Sequence, residues 1–114
     1  MTTDVASLVL HVPAAGDLMA VIRSVDNLRR ELGDQVVIEV VAHGPGLEVL
    51  LAESAVAAQV ADRLAVGVAF TGCQNTLNGR GLTSADLVPG VAVAGSGLAH
   101  AAQRQWQGYA YVRL

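Results

Sequence analysis

The sequence has 114 residues and a formal net charge of -3, and 53% of its residues are hydrophobic against 15% charged. This size predicts a single domain over residues 1–114. The seven basic residues are arginines that form no basic stripe, and no run approaches the roughly 18 apolar residues of a membrane span, so we expect neither a nucleic-acid nor a membrane partner. Because no leader pattern begins the chain, we expect a cytoplasmic protein.

The first two predicted elements are a strand and a helix. Ser7 to Val12 is an apolar run that indicates a strand. Residues 17–32 then place apolar side chains at helical spacing. Asp17 suits the N-cap of this helix, and Gly33 suits the left-handed position just past its end.

A second strand is predicted over residues 36–42, whose β-branched run is too continuous for a half-exposed strand. Glu39 interrupts this run, and we expect its carboxylate at a sheet edge or subunit boundary rather than unpaired in the core. After the turn His-Gly-Pro-Gly at residues 43–46, residues 47–64 fit either one long helix or two short ones.

The second half of the chain continues the alternation. Residues 66–71 predict the third strand, and Asn75 is expected to cap the short helix that follows. Thr83 or Ser84 is expected to cap another short turn. The remaining elements are a fourth strand over residues 91–94, a helix that begins after Gly-Ser-Gly, carries residues 98–106 and ends at Gly108, and a final strand over residues 109–114.

This order of elements, with short connections, predicts a three-layer α/β/α fold around a mostly parallel five-stranded sheet, with the strand order left open. Ligands of such sheets bind beyond the carboxyl ends of the strands. The candidate residues are those that follow each run. They are His11, His43 with Gly44, Gly72 with Cys73, and Gly95 with Ser96, whereas His100 and Arg104 are interpreted as a solvated helix face.

Cys73 is the only cysteine and therefore cannot form an internal disulfide. It precedes a predicted helix start, where free N–H groups and the helix dipole favour a thiolate. The alternative is a buried, inert cysteine that fills a small gap. His43 is placed either to orient or deprotonate Cys73 or to bond a neighbouring loop.

Other polar residues at this edge have simpler interpretations. His11 lies within an apolar run and is expected to be a satisfied core residue. Ser96 is expected to be an N-cap, beside backbone N–H groups that suit an anion. The sequence contains no nucleophile elbow, Walker loop, dinucleotide-binding glycine pattern or paired metal-ligand spacing. A metal site formed by His11, His43 and Cys73 stays an alternative.

Three stretches together resemble the DsrE/DsrF-like family of intracellular sulfur-oxidation proteins, which includes YchN-like members. They are VIEVVAHGPGLEVLL at residues 37–51, GVAFTGCQNTL at 67–77, and the Gly-Ser-Gly of 95–97 with QWQGYAYV at 105–112. The resemblance implies a parallel five-stranded sheet between helices and assembly into homotrimers or homohexamers. It also implies a cysteine that, in some members, carries sulfur as a persulfide, and Cys73 matches that cysteine.

We therefore predict that Cys73 and His43 are the catalytic residues of a cytosolic sulfur carrier, with no metal and no cofactor. The predicted anion- or substrate-binding residues are Gly44, Gly72, Asn75, Thr76, Ser96 and Gly97. A sulfur donor and an acceptor protein are the expected partners. The alternatives are a non-enzymatic oligomer that binds a small ligand or peptide beside Cys73, and a metal-dependent enzyme.

Overall fold

The computed structural model describes residues 6–114, so the first five residues of the predicted domain lie outside the described part. The strands are β1 Ser7–Val12, β2 Val37–Ala42, β3 Ala69–Cys73, β4 Ala92–Ala94 and β5 Ala110–Arg113. The α-helices are α1 Leu18–Leu32, α2 Ala57–Ala65, α3 Gln74–Gly79 and α4 Gly97–Trp106, and two 3-10 helices span Gly44–Leu50 and Ser84–Asp86. No helix within residues 6–114 has the length and apolar character needed to cross a bilayer.

The strands form one sheet in the order β4-β3-β2-β1-β5, and every neighbouring pair is parallel. This confirms the predicted fold class. Because all strands run the same way, their carboxyl ends meet at one edge of the sheet. His11 pairs in register with Val41 and Arg113, and Cys73 pairs with Ala94.

The two faces of the sheet are covered differently. Alternate strand residues such as Leu8 and Leu10 belong to the main apolar core, which also contains buried side chains of α1, α2 and the first 3-10 helix. Residues of the opposite parity, such as Val9 and Val41, pack with Ala101 of α4 in a smaller cluster. Side chains alternate between the two faces of a strand. The polar residues at odd-numbered positions of β1, β2 and β3, namely His11, Glu39 and Thr71, therefore lie on the face that α4 covers.

The predicted ends of the first helix are confirmed. The Asp17 carboxylate accepts a hydrogen bond from the Met19 N–H at 3.0 Å. Gly33 has a φ of +92°, which favours glycine, and its N–H donates to the Arg29 carbonyl at 2.9 Å. Of the two alternatives for residues 47–64, the structure has two short helices.

Two local predictions are wrong. The third strand starts at Ala69 rather than at residue 66, because Val66 ends α2 and Gly67, with a φ of +98°, turns the chain. Asn75 is not a cap, since Cys73 occupies the N-cap position and Asn75 lies inside α3. The predicted starts of β2, β4 and β5 are each one residue early. Thr83 is confirmed as the cap of its turn, where it forms a capping box with Asp86.

Candidate functional site

Cys73 is the last residue of β3 and the N-cap residue of α3, so it lies at the carboxyl edge of the sheet. Its thiol is free and the residue is only 6% exposed. The strand end and the helix start fix its backbone on both sides. The sequence-based placement of this cysteine at the end of a buried strand is confirmed.

The Cys73 sulfur is surrounded by hydrogen-bond donors. Burial raises the pKa of this thiol, but hydrogen bonds from the Gly97 N–H, the Thr76 hydroxyl and N–H, and the Asn75 N–H lower it, and the net effect is a pKa below the ordinary value. Donors of this kind stabilise the thiolate rather than the thiol. The local structure therefore favours the nucleophilic form of the sulfur.

Thr76 connects the sulfur to the loop after β2. Its Oγ1 accepts a hydrogen bond from the Gly44 N–H at 2.9 Å. Because this contact uses a lone pair of the hydroxyl oxygen, the hydroxyl proton is available to Cys73. Gly44 has a φ of +55°, a conformation that favours glycine, so the sharp turn after β2 positions the donor to Thr76.

His43 lies beside Cys73 across the start of α4. A Cβ atom added to Gly97 would lie 3.2 Å from the His43 Cβ and 3.3 Å from the Cys73 Cβ, so only glycine fits between them without displacement. The His43 Nε2, however, is bonded to the His11 Nε2 at 2.6 Å. The structure thus brings the two predicted catalytic residues together and adds a partner for the histidine.

His11 is buried, as expected, and both of its ring nitrogens are bonded. Its Nδ1 contacts the Tyr111 hydroxyl on β5. No local pattern of the sequence marks Tyr111 as part of the site, because its contact with His11 depends on the pairing of β1 with β5. Within residues 6–114, no cluster of three or more His, Cys, Asp or Glu side chains is arranged to hold a metal ion.

Three of the predicted binding residues, Gly44, Gly72 and Ser96, are not among the donors to the sulfur, and Gly44 donates to Thr76 instead. Ser96 is the N-cap of α4, and its Oγ accepts from the Ala99 N–H at 3.1 Å, which agrees with its simpler interpretation. Gly72 faces the other side of the sheet, where an added Cβ would lie 3.2 Å from Leu47 Cδ1. Its backbone contribution to an anion site stays a prediction.

Glu39 corrects a sequence-based expectation. It lies on β2, the central strand, and is 4% exposed, so it is at neither a sheet edge nor an exposed boundary of this chain. Its carboxylate accepts hydrogen bonds from Arg104 Nε at 2.7 Å and from Thr71 Oγ1 at 2.6 Å, and it contacts His100 Nε2 at 2.8 Å. Burial raises the Glu39 pKa, but these bonds outweigh it, and the net pKa is lowered.

The interpretation of His100 and Arg104 as a solvated face is therefore wrong. Both point from α4 to the sheet, where they hold the Glu39 carboxylate. His100 and Arg104 lie three or four positions from the buried residues Gly97 and Ala101, so the four residues share one side of α4. This spacing is the sequence signal that could have shown that His100 and Arg104 face the sheet. The cluster ties α4 to the sheet and so fixes the Gly97 N–H near Cys73.

A cleft of about 670 Å³ opens beside Thr76, and Cys73 is not among the residues that line it. Thr76 belongs both to its wall and to the donors around the sulfur, so this side chain separates the cleft from Cys73. An ion pair between Arg80 and Glu48, at 3.1 Å, lies on the wall. The other lining residues are Ala15, Gly44, Pro45 and Gly79.

Comparison with solved structures identifies proteins of the same fold. MTH1491 from Methanobacterium thermoautotrophicum, a protein of unknown function, is 36% identical over 96% of this chain and 99% of that chain, with a TM-score of 0.91. YchN from E. coli is 17% identical over 96% and 99% of the two chains, with a TM-score of 0.80. BT1422 from Bacteroides thetaiotaomicron, also of unknown function, is 15% identical over 95% and 94%, with a TM-score of 0.70.

No family model matches the chain, and no curated protein matches it either. The likeness to YchN and BT1422, at 17% and 15% identity, concerns the fold alone. The YchN-like fold implied by the sequence resemblance is confirmed.

Proposed function

The chain belongs to the same family as MTH1491, and from that premise we propose that Cys73 carries sulfane sulfur as a persulfide and passes it to an acceptor thiol. The function of that relative is itself unknown, so the proposal depends on the site. The observation that carries it is the set of donors from Gly97, Thr76 and Asn75 around the Cys73 sulfur, which lowers the thiol pKa despite burial.

The chemistry needs a thiolate, an anion-tolerant pocket and two nucleophilic displacements. The Cys73 thiolate attacks the sulfane sulfur of a donor, a new S–S bond forms, and the S–S bond of the donor breaks with its electron pair leaving on the donor. An acceptor thiolate then attacks the outer sulfur and releases the Cys73 thiolate. The N–H groups that stabilise the thiolate are suited to a persulfide anion at the same place.

Incubation with inorganic polysulfide is expected to add about 32 Da, the mass of one sulfur atom, to the intact protein. The adduct should disappear on treatment with a thiol, which is the transfer step. Cys73→Ser keeps a small polar side chain and is the matched control that should gain no mass. An unmodified wild-type protein after exposure to polysulfide, thiosulfate and a protein persulfide donor would overturn the proposal.

A second function is supported by the cleft beside Thr76, whose size suits a small ligand or a peptide segment. In this alternative the protein is a binding module and Cys73 only adjoins the pocket. The Cys73→Ser variant separates the two proposals, because a binding module keeps its cellular function without the thiol.

We also propose a cytoplasmic location, because a free cysteine such as Cys73 agrees with a reducing compartment.

We further propose that the chain forms a homotrimer or homohexamer in which the outer side of α4 is covered. Leu98 is 60% exposed and Trp106 is 82% exposed, and with Ala102 they occupy positions i, i+4 and i+8 on one side of the helix. An apolar stripe that includes an exposed tryptophan is typical of an interaction surface.

Trp106→Glu is expected to reduce the oligomer to a single chain, because a charge replaces the largest apolar side chain of this stripe. Light scattering after size-exclusion chromatography measures the mass. Val66→Glu is the matched control, since Val66 is 58% exposed but lies at the end of α2. The same oligomeric mass for both variants would contradict the involvement of α4.

A further inference from the structure

The fourth helix is attached to the sheet by charged groups more than by apolar packing. Its buried residues are Gly97 and Ala101, and neither has a side chain larger than a methyl group. By contrast, α1 buries Val21, Ile22 and Val25 in the main core. Since the stabilisation from apolar burial is proportional to the area covered, α4 gains little from it.

The Glu39 carboxylate provides the strongest attachment of α4. Its oxygens bind Arg104 Nε at 2.7 Å and His100 Nε2 at 2.8 Å, and the Thr71 hydroxyl donates to it at 2.6 Å. Glu39 lies on the central strand β2 and Thr71 on its neighbour β3, so the carboxylate is fixed to the middle of the sheet. Hydrogen bonds between charged groups are roughly twice as strong as neutral ones.

The chain that leads into α4 does not fix the direction of the helix. β4 is an edge strand of three residues, and Gly95 and Ser96 connect it to Gly97. The Gly95 carbonyl accepts a hydrogen bond from the Asn75 N–H at 3.3 Å, but a Cβ added to Gly95 would meet no atom within 4 Å. This link keeps the start of the helix near α3 and leaves its direction to contacts further along α4.

The start of α4 is also the point at which the helix meets Cys73. The Gly97 N–H donates to the Cys73 sulfur, and a Cβ added to Gly97 would lie 3.3 Å from the Cys73 Cβ. His100 and Arg104 follow Gly97 at about 4.5 and 10.5 Å along the helix axis. Because the intrahelical hydrogen bonds keep these two turns together, a tilt of α4 at Arg104 moves the Gly97 N–H relative to the sulfur.

We propose that Glu39 and Arg104 are positioning residues of the sulfur site, which act on Cys73 through α4 by holding the Gly97 N–H against its sulfur. The inference deepens the proposed sulfur-carrier function and rests on it, because loading starts from the Cys73 thiolate. Neither residue is itself a donor to the sulfur. The other donors, from Thr76 and Asn75, belong to α3, so a displaced α4 weakens the thiolate without abolishing it.

Arg104→Met is expected to slow alkylation of Cys73 by iodoacetamide on the order of tenfold at neutral pH, because a displaced Gly97 N–H no longer stabilises the thiolate. The rate curve should move to higher pH and meet the wild-type curve where both thiols are ionised. Arg104→Lys keeps a charged donor and should restore part of the rate. Arg63→Met is the matched control, since it removes a 2.7 Å ion pair with Asp26 between α2 and α1, and it should keep the wild-type curve.

Glu39→Gln separates positioning from a direct effect of charge. Removing a negative charge would by itself lower the Cys73 pKa, whereas removing the positive charge of Arg104 would raise it. Positioning predicts that both substitutions raise the Cys73 pKa, because each weakens the same attachment. For Glu39→Gln we expect alkylation to slow about threefold, since the amide still accepts weaker hydrogen bonds. A Cys73 pKa that falls or stays at the wild-type value in Glu39→Gln would overturn the proposal.

Sulfur uptake provides the second readout. Both variants should take up sulfur from inorganic polysulfide more slowly, by the same factors as in alkylation, because both reactions start from the thiolate. If the two variants show a cooperative urea transition and keep the wild-type thiol pKa and loading rate, the positioning role is wrong and the sulfur carrier stands. If the wild-type protein takes up no sulfur, the sulfur-carrier proposal fails, and the changes in thiol pKa alone decide the positioning role.

Discussion

Replacing Arg104 with methionine is expected to lower the free energy of unfolding by about 3 kcal/mol. Methionine keeps most of the apolar stem, but it removes the charged donor that lies 2.7 Å from the Glu39 carboxylate. The Glu39 side chain is only 5% exposed, so water cannot replace the lost partner. Urea denaturation at neutral pH, with both the midpoint and the slope recorded, measures the change.

Arg80→Met is the matched control, because the same side chain is removed from an ion pair at the surface. Arg80 and Glu48 are 3.1 Å apart, but their side chains are 39% and 40% exposed. Exposed pairs contribute about 0–1 kcal/mol, and the change should stay within that range. Equal losses in the two arginine variants would show that the Glu39 cluster has no special contribution to stability.

The same cluster predicts a dependence of stability on pH. The Glu39 pKa is lowered in the folded protein from the ordinary value of 4.5, so the unfolded chain binds more protons near that pH. The stabilisation is present above 4.5 and is lost as the pH falls towards the folded value. Other carboxylates contribute equally in both proteins, so the loss in acid should be smaller in Arg104→Met than in wild type.

The local patterns of the sequence predicted the ends of an element where the residues that fix them are close together in the chain. Asp17 and Gly33 delimited the first helix because both act through bonds to residues at most four positions away. The start of β3 was missed because residues 66–68 are as apolar as the strand itself. The end of α2 and the start of β3 are distinguished only by the turn at Gly67 and by the pairing of Ala69 with Glu39 of β2.

The site was predictable where its residues are close to Cys73 in sequence, as Asn75 and Thr76 are. The charge cluster was predictable only on the α4 side, where helical spacing groups His100 and Arg104 with the buried residues, because a single carboxylate in an apolar run gives no indication of its partners. Glu39 meets Arg104 from 65 residues away. His11 similarly meets Tyr111 from 100 residues away. Such contacts follow from the strand order and from the position of α4, which no local pattern specifies.

Thr76→Val is expected to slow alkylation of Cys73 by iodoacetamide at neutral pH by about tenfold or more. Valine has nearly the shape of threonine but lacks the hydroxyl that donates to the sulfur and accepts from the Gly44 N–H. A hydrogen bond to a charged group contributes about 1.5–3 kcal/mol, and its loss favours the thiol over the thiolate. The pKa of Cys73 should therefore rise, and the rate curve should move to higher pH.

Because only the population of thiolate changes, the rates of Thr76→Val and wild type should converge at high pH, where both thiols are ionised. Thr76→Ser keeps the hydroxyl and should retain the wild-type curve, which separates the hydrogen bond from the loss of a methyl contact. A curve for Thr76→Val that coincides with wild type would mean that the hydroxyl does not hold the thiolate. The N–H groups of Gly97, Thr76 and Asn75 would then be the donors on which the reactivity of Cys73 depends.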